Sequence, residues 1–326
     1  MHLDPGRIIM LAIGCGLLYL AIARQIEPLL LLPIGFGAIL VNIPEAGLME
    51  PGGVLRTFYD AGILTEIFPV LVFIGIGAMT DFGPLLENPR ILLLGAAGQF
   101  GIFLTLLLAL ALGFTVQQSV AIGVIGAMDG PTAIYVSSRF APELLGPISV
   151  AAYSYMSLVP IIQPPIMRLL TTKEERMIVM GGMKRTVSRR AKLIFPIMVA
   201  IVGSIIAPQG TPLLGMIMLG NLLRESGVVE RLKNASQNEI ANIVTLLLGI
   251  SIGATMQAEQ FLRPQTLAIV ALGFLAICLD TVAGVLFGKL MCAVTRGKIN
   301  PLIGAAGISA FPMAARVVQL EGQRYN

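Results

Sequence analysis

The chain has no tryptophan, a single histidine and three cysteines, and charged residues make up only 12% of it. Each shortage closes off a class of function. His2 stands alone at the start of the chain, so histidine catalysis and His-ligated metals have nothing to be built from. Cys15, Cys278 and Cys292 sit in apolar surroundings at no metal-ligand spacing, which reads as small buried residues. A phosphate-cradling glycine loop, a Ser/His/Asp constellation and a CxxC pair are all missing, so the chain offers no means of driving a pump with ATP. A soluble chain carries about 25% charged residues, and half of that is absent here. In its place the sequence is 56% hydrophobic, with a mean hydropathy of +0.86. These figures exclude a soluble enzyme, a disordered chain and a disulfide-stapled module. About twenty apolar residues cross a bilayer as a helix, so the chain has room for about ten spans. Without tryptophan, tyrosine is left to mark the membrane interfaces.

The remaining charge is unevenly spread. Between Arg168 and Lys192 lie eight basic residues against Glu174 and Glu175, so this stretch carries +6 in a chain of net +4. In so apolar a sequence the positive-inside rule accounts for such a loop and places 168–192 in the cytoplasm; a nucleic-acid patch is not needed. The first apolar run lacks a small-residue cleavage site and further runs follow, so it reads as a span and not as a cleaved leader.

Apolar segments run at about Ile8–Ala23, Pro28–Ile43, Gly62–Met79, Ile91–Phe114, Val120–Ser138 and Leu144–Leu170. After the basic loop come Ile194–Ala207, Thr211–Leu223, Ile240–Met256, Thr266–Val294 and Ile299–Val318. Glycine or proline interrupts most of them, and in lipid a broken helix survives only where protein or a wet cavity satisfies its backbone. The two halves also repeat one another. Pro33 and Asn42 match Pro212 and Asn221 at an offset of 179, Ile76-Gly77-Ala78 matches Ile252-Gly253-Ala254, and Pro131 matches Pro312. The expected architecture is therefore an all-α polytopic membrane protein, with about ten membrane segments in two repeats and broken helices at the midplane. The first repeat would cover 1–140, a connecting helix and basic cytoplasmic loop 141–192, and the second repeat 193–326. An inverted repeat needs an odd number of crossings between equivalent helices and the segments number six. Either one segment stops short of crossing or the repeats are parallel.

Paired, Gly/Pro-broken segments in two repeats point to a transport site. Here the pair is Ala127-Met-Asp129-Gly130-Pro131-Thr132 and Asn300 to Arg316. A carboxylate at membrane depth costs about 3 kcal/mol or more, which makes Asp129 a functional candidate by default. The Gly-Pro that follows would end a helix and free carbonyls to join the carboxylate as hard ligands, although a capping aspartate also explains the triplet. Asn300 and Ser309 offer neutral oxygens and Arg316 a fixed cation. One carboxylate among neutral oxygens suits Na⁺ or H⁺, not a transition metal. Tyr153, Tyr155 and Gln163 are further polar groups at depth. Asp280 is a rival acid without a Gly-Pro break and reads as a helix-packing residue, while Asp81 and Glu87 read as solvated loop residues.

At these motifs the sequence becomes specific. Gly126–Tyr135, Ala151–Met167, Gly220–Leu232 and Asn300–Arg316 resemble the beta subunit of the sodium-pumping, biotin-dependent decarboxylases, over most of the chain from about Pro28. That family acts on oxaloacetate, methylmalonyl-CoA, glutaconyl-CoA or malonate. The resemblance implies that Asp129 binds Na⁺ and a proton, that Asn300 and Ser309 complete the sodium site, that Tyr155 handles a proton, and that Arg316 lies near carboxybiotin. It implies a hetero-oligomer in the cell inner membrane with a carboxyltransferase/biotin-carrier alpha subunit and a small gamma or delta subunit. Carboxybiotin would then be decarboxylated with a consumed proton and coupled Na⁺ export. A stand-alone Na⁺/H⁺-coupled secondary transporter is the alternative from another class. Two departures from the family pattern stand out. The loop at about Ile43–Asp60 is short, as in acyl-CoA-type subunits, and the pattern continues into a further membrane segment beyond Asn326.

Overall fold

The computed structural model describes residues 4–25, 28–87, 89, 92–180, 187–307 and 311–325. All regular structure among them is helical. The principal helices are α1 (Pro5–Ala23), α2 (Pro28–Val41), α3 (Ile67–Met79), α4 (Phe100–Ala111), α5 (Val116–Gly123) and α6 (Gly130–Phe140). After them come α7 (Leu145–Leu170), α8 (Arg189–Ile206), α9 (Thr211–Ser226), α10 (Ala241–Ala254), α11 (Pro264–Val294) and α12 (Phe311–Gln323). Local chemistry sets several ends. Thr115 and Gln118 close a reciprocal capping box on α5, the Ser188 hydroxyl accepts the Ala191 N–H of α8, and Pro264 opens α11, where no N–H is needed. In α7 the chain bends by 61° between Tyr153 and Leu158, within the turn preceding Pro160. Proline cannot donate to that turn and its ring crowds the carbonyl there.

By length and composition α1 and α11, of 19 and 31 residues, can cross a membrane. Two bent pairs, Val54–Ile63 with α3 and Pro142–Tyr153 with Leu158–Leu170, raise the number to four if each is one span. Glycine and proline breaks leave the other apolar segments, such as α2 and α4, shorter than a full crossing. Large apolar side chains such as Phe103, Ile205 and Leu267 are exposed on the outer face, where lipid is the natural solvent. Cys15 is exposed on the outer side of α1, and Cys278 and Cys292 are half-buried. That corrects the expectation of three buried thiols: an apolar neighbourhood in sequence is here a lipid-facing surface as often as a core.

The helices from before and after the basic loop pair crosswise, α2 against α10 and α3 against α9. Both crossings are closed by glycine: a Cβ on Gly253 would overlap the Ile34 carbonyl, and one on Gly77 the Ile217 carbonyl. Beside each crossing an asparagine ties the partner helix. Asn42 donates to the Met256 carbonyl at 2.8 Å, and Asn221 donates to the Thr80 carbonyl at 2.9 Å. A π-helical turn leads into both α3 and α10, at Tyr59–Ile63 and Ser236–Ile240. In the loop after α3, the Gly83 N–H donates to Asp81 at 2.8 Å, while Lys192 and Arg224 stand 3.5 and 3.6 Å away. This backbone bond, helped by the two cations, holds the Asp81 carboxyl below the usual range.

Candidate functional site

Asp129 lies between a 3₁₀ turn, Val124–Ala127, and the start of α6. Met128 turns the chain with a φ of 50°, and Asp129 itself is extended. Gly130 and Pro131 therefore open a helix; they do not end one as the sequence suggests, because proline fits the first turn where its missing N–H costs nothing. Asp129 occupies the N-cap position, yet its carboxylate makes no capping bond and instead accepts the Thr132 hydroxyl. Gly130 must lack a side chain because the ring of Tyr153 fills that space.

Tyr153 and Tyr155 face apart, as residues two positions apart on a helix do. Tyr153 packs into the core formed by α1, α2 and α10; Tyr155 packs into a second core formed by α4 to α7, α11 and α12. The Tyr155 hydroxyl donates to the Val270 carbonyl, and its ring lies over Gly273 and 6.3 Å from Phe274. Helix α11 thus serves as a ruler for the site. Gly273 meets Tyr155 and Ile125, Asp280 meets Gly101, Gly284 meets the Gly304 carbonyl, Gly288 meets Pro301, and Lys289 donates to the Leu170 carbonyl.

The second broken segment is held at the end of α11 near the basic loop. Asn300 is buried, donates to the Arg176 and Ile178 carbonyls at 3.0 Å each, and accepts the Leu302 N–H at 3.0 Å. Gln163, from the far half of α7, donates to the Ala305 carbonyl at 3.0 Å. Ser309 lies outside the described residues. Arg316 is exposed on α12 and makes no ion pair among the described residues. Tyr155 therefore flanks one stretch of α11 and the Asn300–Gly304 segment another, the Asp129 break is packed by Tyr153 instead, and no bond among the described residues joins Asp129, Tyr155 and Asn300.

Sequence reasoning misses the clamp around the loop. Arg168 forms a two-point bond with the buried Glu321 at 2.6 and 2.8 Å, Arg324 adds a third contact at 3.0 Å, and Arg176 donates to the Arg168 and Thr171 carbonyls at 3.1 Å. Two of the eight loop cations are thus spent on structure. Only the fold brings Glu321 to residues some 150 positions away; the sequence has no local signal for it.

The family described as Na⁺-transporting oxaloacetate decarboxylase beta subunit matches residues 6–326. The chain belongs to this family. Methylmalonyl-CoA decarboxylase subunit beta of Veillonella parvula is 57% identical over 321 residues, covering 98% of this chain and 85% of the relative. Glutaconyl-CoA decarboxylase subunit beta of Acidaminococcus fermentans is 55% identical over 319 residues, covering 98% and 84%. The oxaloacetate decarboxylase beta chain of Klebsiella pneumoniae is 50% identical over 391 aligned residues, covering 100% and 90%. That last alignment is longer than the 326 residues of this chain, so the Klebsiella beta chain carries insertions that this family member lacks.

Proposed function

We propose that this chain is the membrane subunit that decarboxylates carboxybiotin presented by a carboxyltransferase/biotin-carrier alpha subunit, consumes a proton and exports Na⁺. The short loop at about Ile43–Asp60 supports an acyl-CoA type of complex. Na⁺ binding at Asp129 displaces the proton held there. The carbamate N–CO₂⁻ of carboxybiotin takes up a proton, the N–C bond breaks, and N–H and CO₂ result. Arg316 faces the negative carboxylate of the carbamate, Tyr155 passes the proton, and Asn300 and Ser309 complete the oxygen shell around Na⁺. The complex sits in the inner membrane with a small gamma or delta subunit, and the loop 168–192 faces the cytoplasm. About ten segments form two repeats, 1–140 and 193–326, joined through 141–192. The crosswise pairing of α2 with α10 and α3 with α9, and the matched Asn42 and Asn221 bonds, support that duplication.

The observation that carries this reading is Asp129, an acid in a break between two helices, bonded to a hydroxyl and not used as a cap. The family match favours a decarboxylase over a stand-alone Na⁺/H⁺ transporter, and avidin separates the two. Blocking biotin abolishes Na⁺ movement in the first case and leaves it intact in the second. Asp129→Asn in the assembled complex is expected to abolish both Na⁺ transport and decarboxylation while expression stays normal. Near-normal Na⁺-dependent turnover in that variant overturns the assignment.

A further inference from the structure

Asp280 lies near the middle of α11 with 0% of its surface exposed. Its Oδ1 accepts the Gly101 N–H at 3.2 Å, and its Oδ2 has no partner among the described residues. No lysine, arginine or histidine pairs with it there, so a buried carboxylate is left with a single neutral donor. Such a charge is too costly to persist uncompensated. Packing alone would be met by an asparagine or a leucine, which carry no such cost.

Its surroundings match a cation site. Gly101 stands in the first turn of α4, just after the chain breaks between the short helix Leu92–Ala97 and α4. A Cβ on Gly101 would meet Asp280 at 2.7 Å, so only glycine lets the carboxylate approach. Thr105, one turn further along α4, is also buried with an unpartnered hydroxyl oxygen. A Cβ on Gly126, three residues before Asp129, would meet the Gly101 backbone at 2.7 Å, so Asp280 adjoins the 3₁₀ turn that leads to Asp129. Along α11, Asp280 is seven residues from Gly273 and four from Gly284, about 10 and 6 Å at 1.5 Å per residue. It stands between the stretch that meets Tyr155 and the one that meets Gly304, the two groups that no direct bond joins.

We propose that Asp280 is a second station for a monovalent cation, Na⁺ or H⁺, between the stretch of α11 that meets Tyr155 and the stretch that meets Gly304. This deepens the function proposed above and rests on it. The test uses the assembled decarboxylase complex. Asp280→Asn lowers Na⁺ uptake by about tenfold or more, as expected for losing a charged ligand. Thr105→Val keeps the shape of the side chain and raises the Na⁺ concentration for half-maximal turnover by about fivefold. Dicyclohexylcarbodiimide, which adds to protonated carboxyls in membranes, marks Asp280 in peptide maps. An adduct suppressed by Na⁺ identifies Na⁺ as the occupant; one that forms equally with and without Na⁺ identifies H⁺. Wild-type pumping by both variants overturns the proposal, and so does a map in which Asp129 is marked and Asp280 is not. The mapping is repeated in Asp129→Asn. Normal pumping by that variant with Asp280 still marked overturns the Asp129 assignment and leaves Asp280 as a station.

Discussion

Every hydrogen bond that Asn300 makes bears on whether it can hold a cation. Both of its amide hydrogens go to carbonyls of the basic loop, and one oxygen lone pair goes to Leu302. A second lone pair remains, which a cation can take without breaking any of these bonds. The residue therefore has two separable duties: holding the loop at the end of α11, and lending an oxygen to Na⁺. Asn300→Ala removes both, and each unsatisfied buried partner costs about 1–3 kcal/mol. If the oxygen serves Na⁺, the half-saturating Na⁺ concentration rises about 5- to 150-fold. A fall in maximal rate at unchanged half-saturation would instead make Asn300 a loop anchor only. Titrating turnover with Na⁺ in the purified complex separates the two.

The asparagines beside the two helix crossings show how far one residue can stabilise an element. Asn42 spans three backbone groups, the Ala38 and Met256 carbonyls and the Ala258 N–H, whereas the Asn221 side chain bonds, among the described residues, to the Thr80 carbonyl alone. Asn42→Ala is therefore expected to destabilise the protein by about 1–3 kcal/mol, and Asn221→Ala by less. Melting of the detergent-purified complex checks this; an equal or larger loss for Asn221 would show that the crossings are not held by these bonds. Pro33 with Asn42 and Pro212 with Asn221 are visible in the sequence because a repeat preserves spacing, and the helical class is visible because apolar runs admit no other structure in lipid. The break at Asp129 is visible too, since Gly-Pro is a local signal, although its sense is reversed: the pair starts α6. The Asp280–Gly101 contact, the Arg168–Glu321 clamp and the separation of Tyr153 from Tyr155 between two cores are not visible. Each depends on which distant helix lies alongside, and no local pattern encodes that.

Over the whole chain, the excess of positive charge is concentrated in the basic loop. Arg168–Lys192 carries +6, yet Arg168 and Arg176 are committed to the Glu321 clamp and its neighbouring carbonyls, and Lys192 faces Asp81 and Glu225. Arg189 and Arg190 are both exposed in the first turn of α8, where cations oppose the helix dipole. Arg189 also donates to the Ser226 carbonyl at the end of α9, at 3.0 Å, whereas Arg190 makes no ion pair among the described residues. The exposed charge of the two can attract something negative, such as a carboxylated carrier arriving from the cytoplasm. Orientation is decided first. A cysteine at the exposed Ser188 is labelled by membrane-impermeant maleimide in inverted vesicles and not in right-side-out cells; labelling in intact cells would put the loop on the wrong side for a carrier. Replacing Arg189 and Arg190 by glutamine then raises the carrier concentration needed for half-maximal decarboxylation, with a larger effect at low salt, because ions screen exposed charges within about 10 Å at 0.1 M. An unchanged requirement at low ionic strength would reduce the two arginines to topological markers, since orientation depends on the count of positive charges near the membrane and not on what they touch.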